Sequence, residues 1–580
     1  MKEKKIDWSL GAILLLALFL YSWNICNAGN ANDFYTAAIK SMTQSWANFW
    51  YASFDPAGYI TVDKPPVALW FMTISAKIFG VHGWSVVLPS ILFGVASIWL
   101  IYQLVSPYFG KTSGRLAALA LTLTPIVVAN SRSNNMDPTL IFFLLLAVYF
   151  LEKSIEVHQS RWLMLSFALV GVAFNIKMLQ AFMILPMMYL FYFIASPCNL
   201  TQKLKNLSLA TVVLVIFTLF WPLTVDLTPA SKRPYIGGST NNSVLNLAFG
   251  YNGIERLLGQ STQKNNSTPQ AKIVSDQQKI DPAFMIGKPG LFRIFQADLG
   301  PQISWLLPLA LIGAIGVLSV KKQQQILLWL AWLIPVYGFF SLANFFHPYY
   351  LVMLAPPIAA LFGIGLPALV QLFYNGLAWQ RMLLPGALIV TFLLQIYYVS
   401  FYYRWNAAIL AIIAVLLTTS KQKNLLALVT VCLVAPAWWS LTPTIAGLSD
   451  AYPSAGPQLL RNKDHGFEID QTLLTFLQKN RISAKYLFAT NDSSTAAPYI
   501  IKSGEAVMAM GGFNGTDPVI DLKEFQKMVR AGEVKYYYYT NQCSGHQEII
   551  NWIVKNGKKI SNSNFKNGTL YDLTGIIFQK

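Results

Sequence analysis

Apolar stretches near the roughly 20 residues an α-helix needs to cross hydrocarbon recur from residue 8 to residue 441. No soluble domain hides that much continuous apolar helix. The composition agrees, with 54% hydrophobic and 12% charged residues in 580 and a mean hydropathy of +0.45, far outside the soluble range. Counting spans places them at 8–24, 84–105, 116–129, 138–151, 162–174, 179–194, 207–225, 303–320, 326–343, 349–373, 383–398, 406–417 and 425–441. The expectation is a polytopic α-helical membrane protein of about thirteen transmembrane helices.

Orientation follows from the short loops, because Lys and Arg are retained on the cytoplasmic side during insertion. The opening Met1-Lys2-Glu3-Lys4-Lys5 is then cytoplasmic, as are Lys111, Arg115, Lys153, Arg161, Lys203, Lys205, Lys321, Lys322, Arg381, Lys421 and Lys423. The first apolar run lacks a convincing cleavage site, so it reads as a retained span. The other face receives the loop 27–66, the junctions 131–138, 175–177 and 344–350, the loop 228–302, and everything after residue 441.

The unusual polar residues collect on that outer face. Charge at mid-bilayer costs roughly 2.5 to 3.5 kcal/mol on insertion scales, which explains why such groups sit at span ends but not why they share one face. Asp33 opens a stretch, 32–42, whose apolar spacing suits an interfacial helix; it can be an N-cap or a base. Asp63 and Lys64 precede Pro65-Pro66, whose fixed backbone presents them rigidly. Asp137-Pro138 is ordinary helix-start grammar, but the polar run Arg132-Ser133-Asn134-Asn135 before it has no obvious packing purpose. Lys177 lies outside against the charge bias, which suggests an anionic partner such as a lipid phosphate. His347-Pro348-Tyr349-Tyr350 enters the tenth span, where His and Tyr are also common interfacial anchors.

Asn32-Asp33-Phe34-Tyr35, Asp63-Lys64-Pro65-Pro66 and Asn135-Met136-Asp137-Pro138, in that order and on one face, resemble the GT-C glycosyltransferases of the protein O-mannosyltransferase and lipid A aminoarabinose transferase superfamily. The bacterial mannosyltransferase-like branch with a C-terminal extracytoplasmic domain is most similar. Its strings are matched by Ser53-Phe54-Asp55-Pro56, Lys177-Met178-Leu179-Gln180, Arg233-Pro234-Tyr235-Ile236-Gly237-Gly238-Ser239, Phe249-Gly250-Tyr251-Asn252-Gly253, His347-Pro348-Tyr349-Tyr350 and Met508-Ala509-Met510-Gly511-Gly512-Phe513. The resemblance implies a GT-C fold and transfer of one sugar, with inversion, from a polyprenyl phosphate carrier, undecaprenyl phosphate in a bacterial plasma membrane. The acceptor would be an envelope protein or glycopolymer. Asp33 matches the family's catalytic carboxylate and is expected to act as general base. Asp137 matches the second acidic position, for acceptor orientation or for a divalent cation (Mg or Mn) shared with Asp33.

The chemistry is consistent with those residue types. Displacement at an anomeric carbon needs a carboxylate to take or orient the acceptor proton, and the departing phosphate needs cations. Lys64, Lys177 and Arg233 are candidates for the phosphate, lysine as a point charge and arginine as a fork; Asp63, His347, Tyr349 and Tyr350 complete the candidate binding set. A covalent double displacement by Asp33 and Asp63 has no support in their spacing. No His or Cys cluster offers a transition-metal site, so any ion would be a hard one on carboxylates, and none is required.

Loop 228–302 is rich in Asn, Gln, Ser, Thr and Gly, a flexible loop by composition and, where the family covers its cavity, a lid that would exclude water. The chain divides into a transmembrane unit, 1–447, and a small soluble α/β domain, 448–580, with helices expected at 469–479, 522–531 and 547–556 and strands at 486–489, 506–510, 535–540 and 569–573. That domain reads as a structural cap or docking module, with acceptor recognition through Gly511-Gly512-Phe513-Asn514-Gly515 the sharper alternative. Of four cysteines only Cys26 and Cys543 could meet outside. The net charge of +18 suits inside loops, anionic membrane lipids and phosphates rather than nucleic acid. No P-loop marks an ATP-driven pump. A transporter or flippase of polyprenyl-linked sugars is the rival function; it predicts mid-span charges and inverted repeats, which the chain does not show. A scaffold that kept the fold and lost catalysis would not need Asp33, Lys64, Asp137 and Lys177 together.

Overall fold

The computed structural model describes residues 7–250, 286–320, 324–447, 449, 451–461, 469–481, 483–540, 545–560, 565 and 568–576. Among them, ten stretches are long and apolar enough to cross a membrane: Trp8–Asn27, Gly83–Thr122, Asp137–Glu156, Ser160–Ala195, Leu200–Asp226, Gly300–Leu318, Gln324–Leu342, Pro348–Asn375, Ala378–Ser400 and Leu425–Ala446. Two of these exceed one crossing. Gly83–Thr122, at 40 residues, breaks at Gly110, whose φ of 86° no helix accommodates. Ser160–Ala195, at 36 residues, breaks at Met178, φ 47°, where a 3₁₀ segment Met178–Ile184 takes over. Arg404–Thr419 is apolar but short, 16 residues. The total therefore depends on how broken stretches and that helix are counted, and thirteen is not a number the structure settles.

Small residues let the helices close on one another. A Cβ on Gly313 would lie 2.6 Å from the Gly365 Cα, and one on Gly363 would lie 2.5 Å from the Ala117 backbone N. Helix Ala355–Asn375 thus packs backbone against backbone with two neighbours, the close approach by which helices associate where water supplies no driving force.

The helix Asp33–Met42 departs from the expected interfacial placement. From Phe34 to Met42 only Lys40 is not buried, because the helix packs against Ser493–Ser503 of the C-terminal domain. Gln44 Nε2 donates to the Gly504 carbonyl at 2.9 Å, and Phe34 contacts Phe513 at 4.8 Å between ring centroids.

The C-terminal domain is built on a five-stranded sheet, β1 Ala489–Thr490, β2 Met508–Ala509, β3 Tyr536–Tyr539, β4 Lys558–Ile560 and β5 Thr569–Asp572, in the order β2-β1-β3-β5-β4. β1 pairs in parallel with β2 and β3, while β5 runs antiparallel to β3 and β4. Helices Gln471–Asn480, Leu522–Arg530 and Gln547–Asn556 stand where expected; Ser493–Ser503 and β4 were not anticipated.

Candidate active site

Asp33 is not the cap of its helix. Asn32 takes that role, its side chain accepting from the Phe34 N–H at 3.1 Å, which leaves the Asp33 carboxyl, half-buried, in the first turn. Burial raises its pKa, offset in part by a hydrogen bond from Asn30.

Asn134 explains the polar run 131–138. Its Oδ1 accepts from the Asn32 N–H at 2.9 Å, and its Nδ2 donates to the Asn32 carbonyl at 3.3 Å and to Thr36 Oγ1 at 3.0 Å. The peptide just before Asp33 is therefore held from both sides by the segment that opens the Asp137 helix. Arg132, fully buried, donates to the carbonyls of Leu20, Tyr21 and Trp23 at 3.1, 3.3 and 2.8 Å. It closes the orphaned C-terminus of the first helix. Asn135 Nδ2 donates to Ala451 at 3.3 Å.

Asp137, the first residue of Asp137–Glu156, makes no side-chain cap either. Its Oδ2 meets the Lys177 ammonium at 2.5 Å, both side chains being buried, and its Oδ1 is buried with no hydrogen-bond partner among the described residues. Lys177 also lies 3.8 Å above the Tyr350 ring and 4.9 Å from that of Tyr349. His347 stacks on Tyr349 at 5.6 Å and leans on Tyr452 at 4.9 Å. An anionic partner for Lys177 was expected from its position; the protein itself supplies one, in an aromatic enclosure.

A second pair lies beside the first turn of the Asp33 helix. Lys64 Nζ meets Asp63 Oδ2 at 2.5 Å, both residues buried, and Tyr35 Oη donates to Asp63 Oδ1 at 3.4 Å. One helical turn, residues 32–35, thus bears Asp33, touches the Lys64–Asp63 pair through Tyr35 and, through Asn32, is tied to Asn134, three residues before Asp137. Each pair keeps an ammonium buried at little net charge, which is how a cation survives desolvation.

Arg233 is placed elsewhere. Its three nitrogens donate to Thr228 O and to Asn242 Oδ1 and O, at 3.0, 2.6 and 2.7 Å, so it organises its own loop. That loop is bound to the first external loop by the Ile60–Tyr235 parallel bridge, by Thr61 N donating to Tyr235 O at 2.8 Å, and by Gly237 N donating to Thr61 Oγ1 at 3.0 Å. The string Tyr251-Asn252-Gly253 lies outside the described residues, as does Cys543; Cys26, Cys198 and Cys432 are free thiols.

Sequence reasoning noted Asn134 within a polar run but gave it no role, and passed over Arg293 and Asp517. Arg293, buried, donates to Ile286 and Gly287 and to the Phe340 and Ala343 carbonyls, anchoring the far end of the long loop on the helix Gln324–Leu342. Asp517 accepts from the Gly238 N–H at 2.7 Å; burial chiefly, and the nearby Asp63 carboxylate, push its pKa up to about 7. Only a charged residue in an otherwise neutral Gly-rich turn could have flagged it.

Among the described residues no group of three or more His, Cys, Asp and Glu gathers to hold a metal ion. Asp33 and Asp137 gain no third ligand there, and one Asp137 oxygen is committed to Lys177.

Comparison with known proteins bears on the family and the fold. Residues 63–222 match the family model for dolichyl-phosphate-mannose-protein mannosyltransferase, and residues 473–556 match "Putative mannosyltransferase YkcB-like, C-terminal". Two Bacillus subtilis proteins, "Putative mannosyltransferase YycA" and "Putative mannosyltransferase YkcB", are 42% and 41% identical over 97% and 98% of this chain and 96% and 94% of their own lengths. The chain belongs to this mannosyltransferase-like family of membrane glycosyltransferases. The fold of the family is GT-C. ArnT from Cupriavidus metallidurans bound to undecaprenyl phosphate superposes with a TM-score of 0.57 at 15% identity, over 98% of this chain and 97% of ArnT. An Archaeoglobus fulgidus oligosaccharyltransferase superposes at 0.52 and 14% identity, over 93% and 70%.

Proposed function

We propose that the chain moves a single sugar from a polyprenyl-phosphate carrier, undecaprenyl phosphate, to an envelope protein or glycopolymer on the extracytoplasmic face, inverting the anomeric centre. The observation that carries this reading is the single turn 32–35, which bears a raised-pKa carboxylate, touches the buried Lys64–Asp63 pair through Tyr35, and is held through Asn32 by Asn134, in the segment that leads into the buried Lys177–Asp137 pair.

In this reading Asp33 takes the proton from the acceptor hydroxyl as its oxygen bonds to the anomeric carbon. The bond from that carbon to the carrier phosphate breaks, and its electron pair leaves on the phosphate. Lys64 and Lys177, held in position by their carboxylates, meet the charge that develops there. The Asp137 Oδ1 that lacks a donor among the described residues is suited to accept from a substrate hydroxyl. Tyr349, Tyr350 and His347 offer ring faces beside Lys177, the surfaces that pyranoses pack on. Residues 1–447 form the transmembrane unit, N-terminus inside, and 448–580 the extracytoplasmic domain. The donor assignment is supported by the undecaprenyl phosphate that ArnT, a protein of the same fold, binds.

The test is release of undecaprenyl phosphate from a radiolabelled undecaprenyl-phosphate hexose by the purified protein in lipid, with a crude envelope acceptor. Acceptor-dependent release that Asp33→Asn lowers by a factor on the order of 10²–10⁴ is expected. A wild type that releases nothing while moving labelled lipid across the bilayer would hand the chain to the transporter class.

A further inference from the structure

Besides the helix Ser493–Ser503, the C-terminal domain reaches the first external loop through the turn 510–517. Residues 510–517 fold tightly: Gly511 N donates to Asn491 O at 2.8 Å and Asp517 N to Gly511 O at 3.0 Å. Gly512, at φ +66°, passes so close that a Cβ there would lie 2.3 Å from Asp517 Oδ2 and 3.0 Å from Ile60 Cδ1. From this turn Phe513 meets Phe34, the Met510 carbonyl accepts from Tyr59 Oη at 3.4 Å, and Asp517 accepts from the Gly238 N–H.

The last bond sits at the head of a short chain of contacts. Gly238 follows Gly237, whose N–H donates to Thr61 Oγ1 and whose Cα approaches the Thr61 carbonyl closely enough that a Cβ would lie 2.3 Å from it. Thr61 is two residues from Asp63, and its own N–H is taken by Tyr235 of the same long loop. Three segments distant in sequence are thus stacked in the order Asp517, 235–238, 59–62, and the third runs directly into the Asp63–Lys64 pair. A backbone N–H donating to a carboxylate is among the stronger hydrogen bonds available, and Gly238, at φ +77°, presents its N–H from a conformation other residues rarely adopt.

We propose that Asp517 is a positioning residue for the Asp63–Lys64 pair, acting through the backbone of Gly238. The C-terminal domain is then part of the sugar-transfer machinery rather than a separate docking module. The inference rests on the transferase reading for its catalytic consequence, though not for the contact itself. Asp517 touches neither Asp63 nor Lys64 by any hydrogen bond among the described residues; beyond the direct electrostatic effect of the two carboxylates on each other, its influence runs through the loop it holds.

The experiment uses the full chain in lipid nanodiscs, as wild type, Asp517→Ala, Asp517→Asn, Lys64→Met and the double variant Asp517→Ala/Lys64→Met. Amide hydrogen exchange is followed over 59–64 and 235–242, and release of undecaprenyl phosphate from undecaprenyl-phosphate hexose is measured with the envelope acceptor. Asp517→Ala should speed exchange in both segments and lower kcat/KM for the lipid donor by about tenfold. Asp517→Asn keeps a carbonyl oxygen for the Gly238 N–H and should restore most of both. In the Lys64→Met background Asp517→Ala should add little, since both act on one element. Unchanged exchange in Asp517→Ala, unchanged turnover despite faster exchange, or full additivity with Lys64→Met each overturns the proposal. A wild type inactive on the hexose lipid would sink the donor assignment alone; exchange over 59–64 would still decide whether Asp517 holds that segment.

Discussion

Asn134 grips the peptide before Asp33 as a neighbouring β-strand would, donating to its carbonyl and accepting from its N–H. Asn134→Ala leaves the buried Asn32 N–H unpaired, while the carbonyl still accepts from the Thr36 N–H, and its expected cost is about 2 kcal/mol, with turnover falling further than stability because the base moves; thermal unfolding and kcat measured on one preparation check this. Asp33 itself carries a pH prediction. Burial raises its pKa and the Asn30 hydrogen bond only partly offsets that. A general base works ionised, so kcat/KM should fall as pH drops through a value above the ordinary carboxylate pKa of about 4. An acid limb at or below that value would count against Asp33 as the base. The identity of these residues was legible in the sequence, since Asp33, Asp63-Lys64, Asp137 and Lys177 all stand in recognisable strings. Their partners were not, because Lys177 is 40 positions and Asn32 is 102 positions from the groups they touch.

Among the elements, the turn 55–60 shows a carboxylate at structural work inside a motif string. Asp55, fully buried, accepts from the N–H groups of Ala57, Tyr59 and Ile60 at 2.9, 3.0 and 3.4 Å. Burial nonetheless pushes its pKa up to about 6. A folded-state pKa above the unfolded value means that this group's contribution to stability is fully present below the unfolded pKa of about 4 and is lost as pH rises through the folded one. Asp55→Asn should remove that decline, seen as a flatter dependence of unfolding free energy on pH in this window. Asp55→Ala should cost about 2 to 4 kcal/mol by freeing three backbone donors, one buried and two half-buried. Apolar helices were readable because hydrocarbon permits little else. Ser493–Ser503 was not, since Ser-Ser-Thr-Ala-Ala-Pro is a loop-like composition, and Asp492 caps it only in the fold, accepting from the Thr495 N–H at 2.9 Å. β4, three residues at the sheet edge with two of them exposed, has no alternation long enough to read.

For the whole molecule, the inside-positive loops predict its sidedness. With the four native cysteines replaced by serine, a membrane-impermeant maleimide applied to intact cells should label Lys502→Cys, in the C-terminal domain, and spare Lys111→Cys, in the turn beside Gly110. The opposite pattern would invert the topology and remove the extracytoplasmic site. By itself the sequence determined the class: apolar runs long enough to cross, a charge bias that orients them, and a set of strings that resembles one enzyme family. These are local or additive properties, so a linear reading captures them. Only the tertiary structure decided that Asn32 rather than Asp33 caps its helix, that each lysine is held by a carboxylate, and that the C-terminal turn 510–517 lies on the long loop and the first loop together. Those outcomes depend on which distant groups burial forces into contact. A buried charge or peptide group must find whichever partner the packing brings within reach.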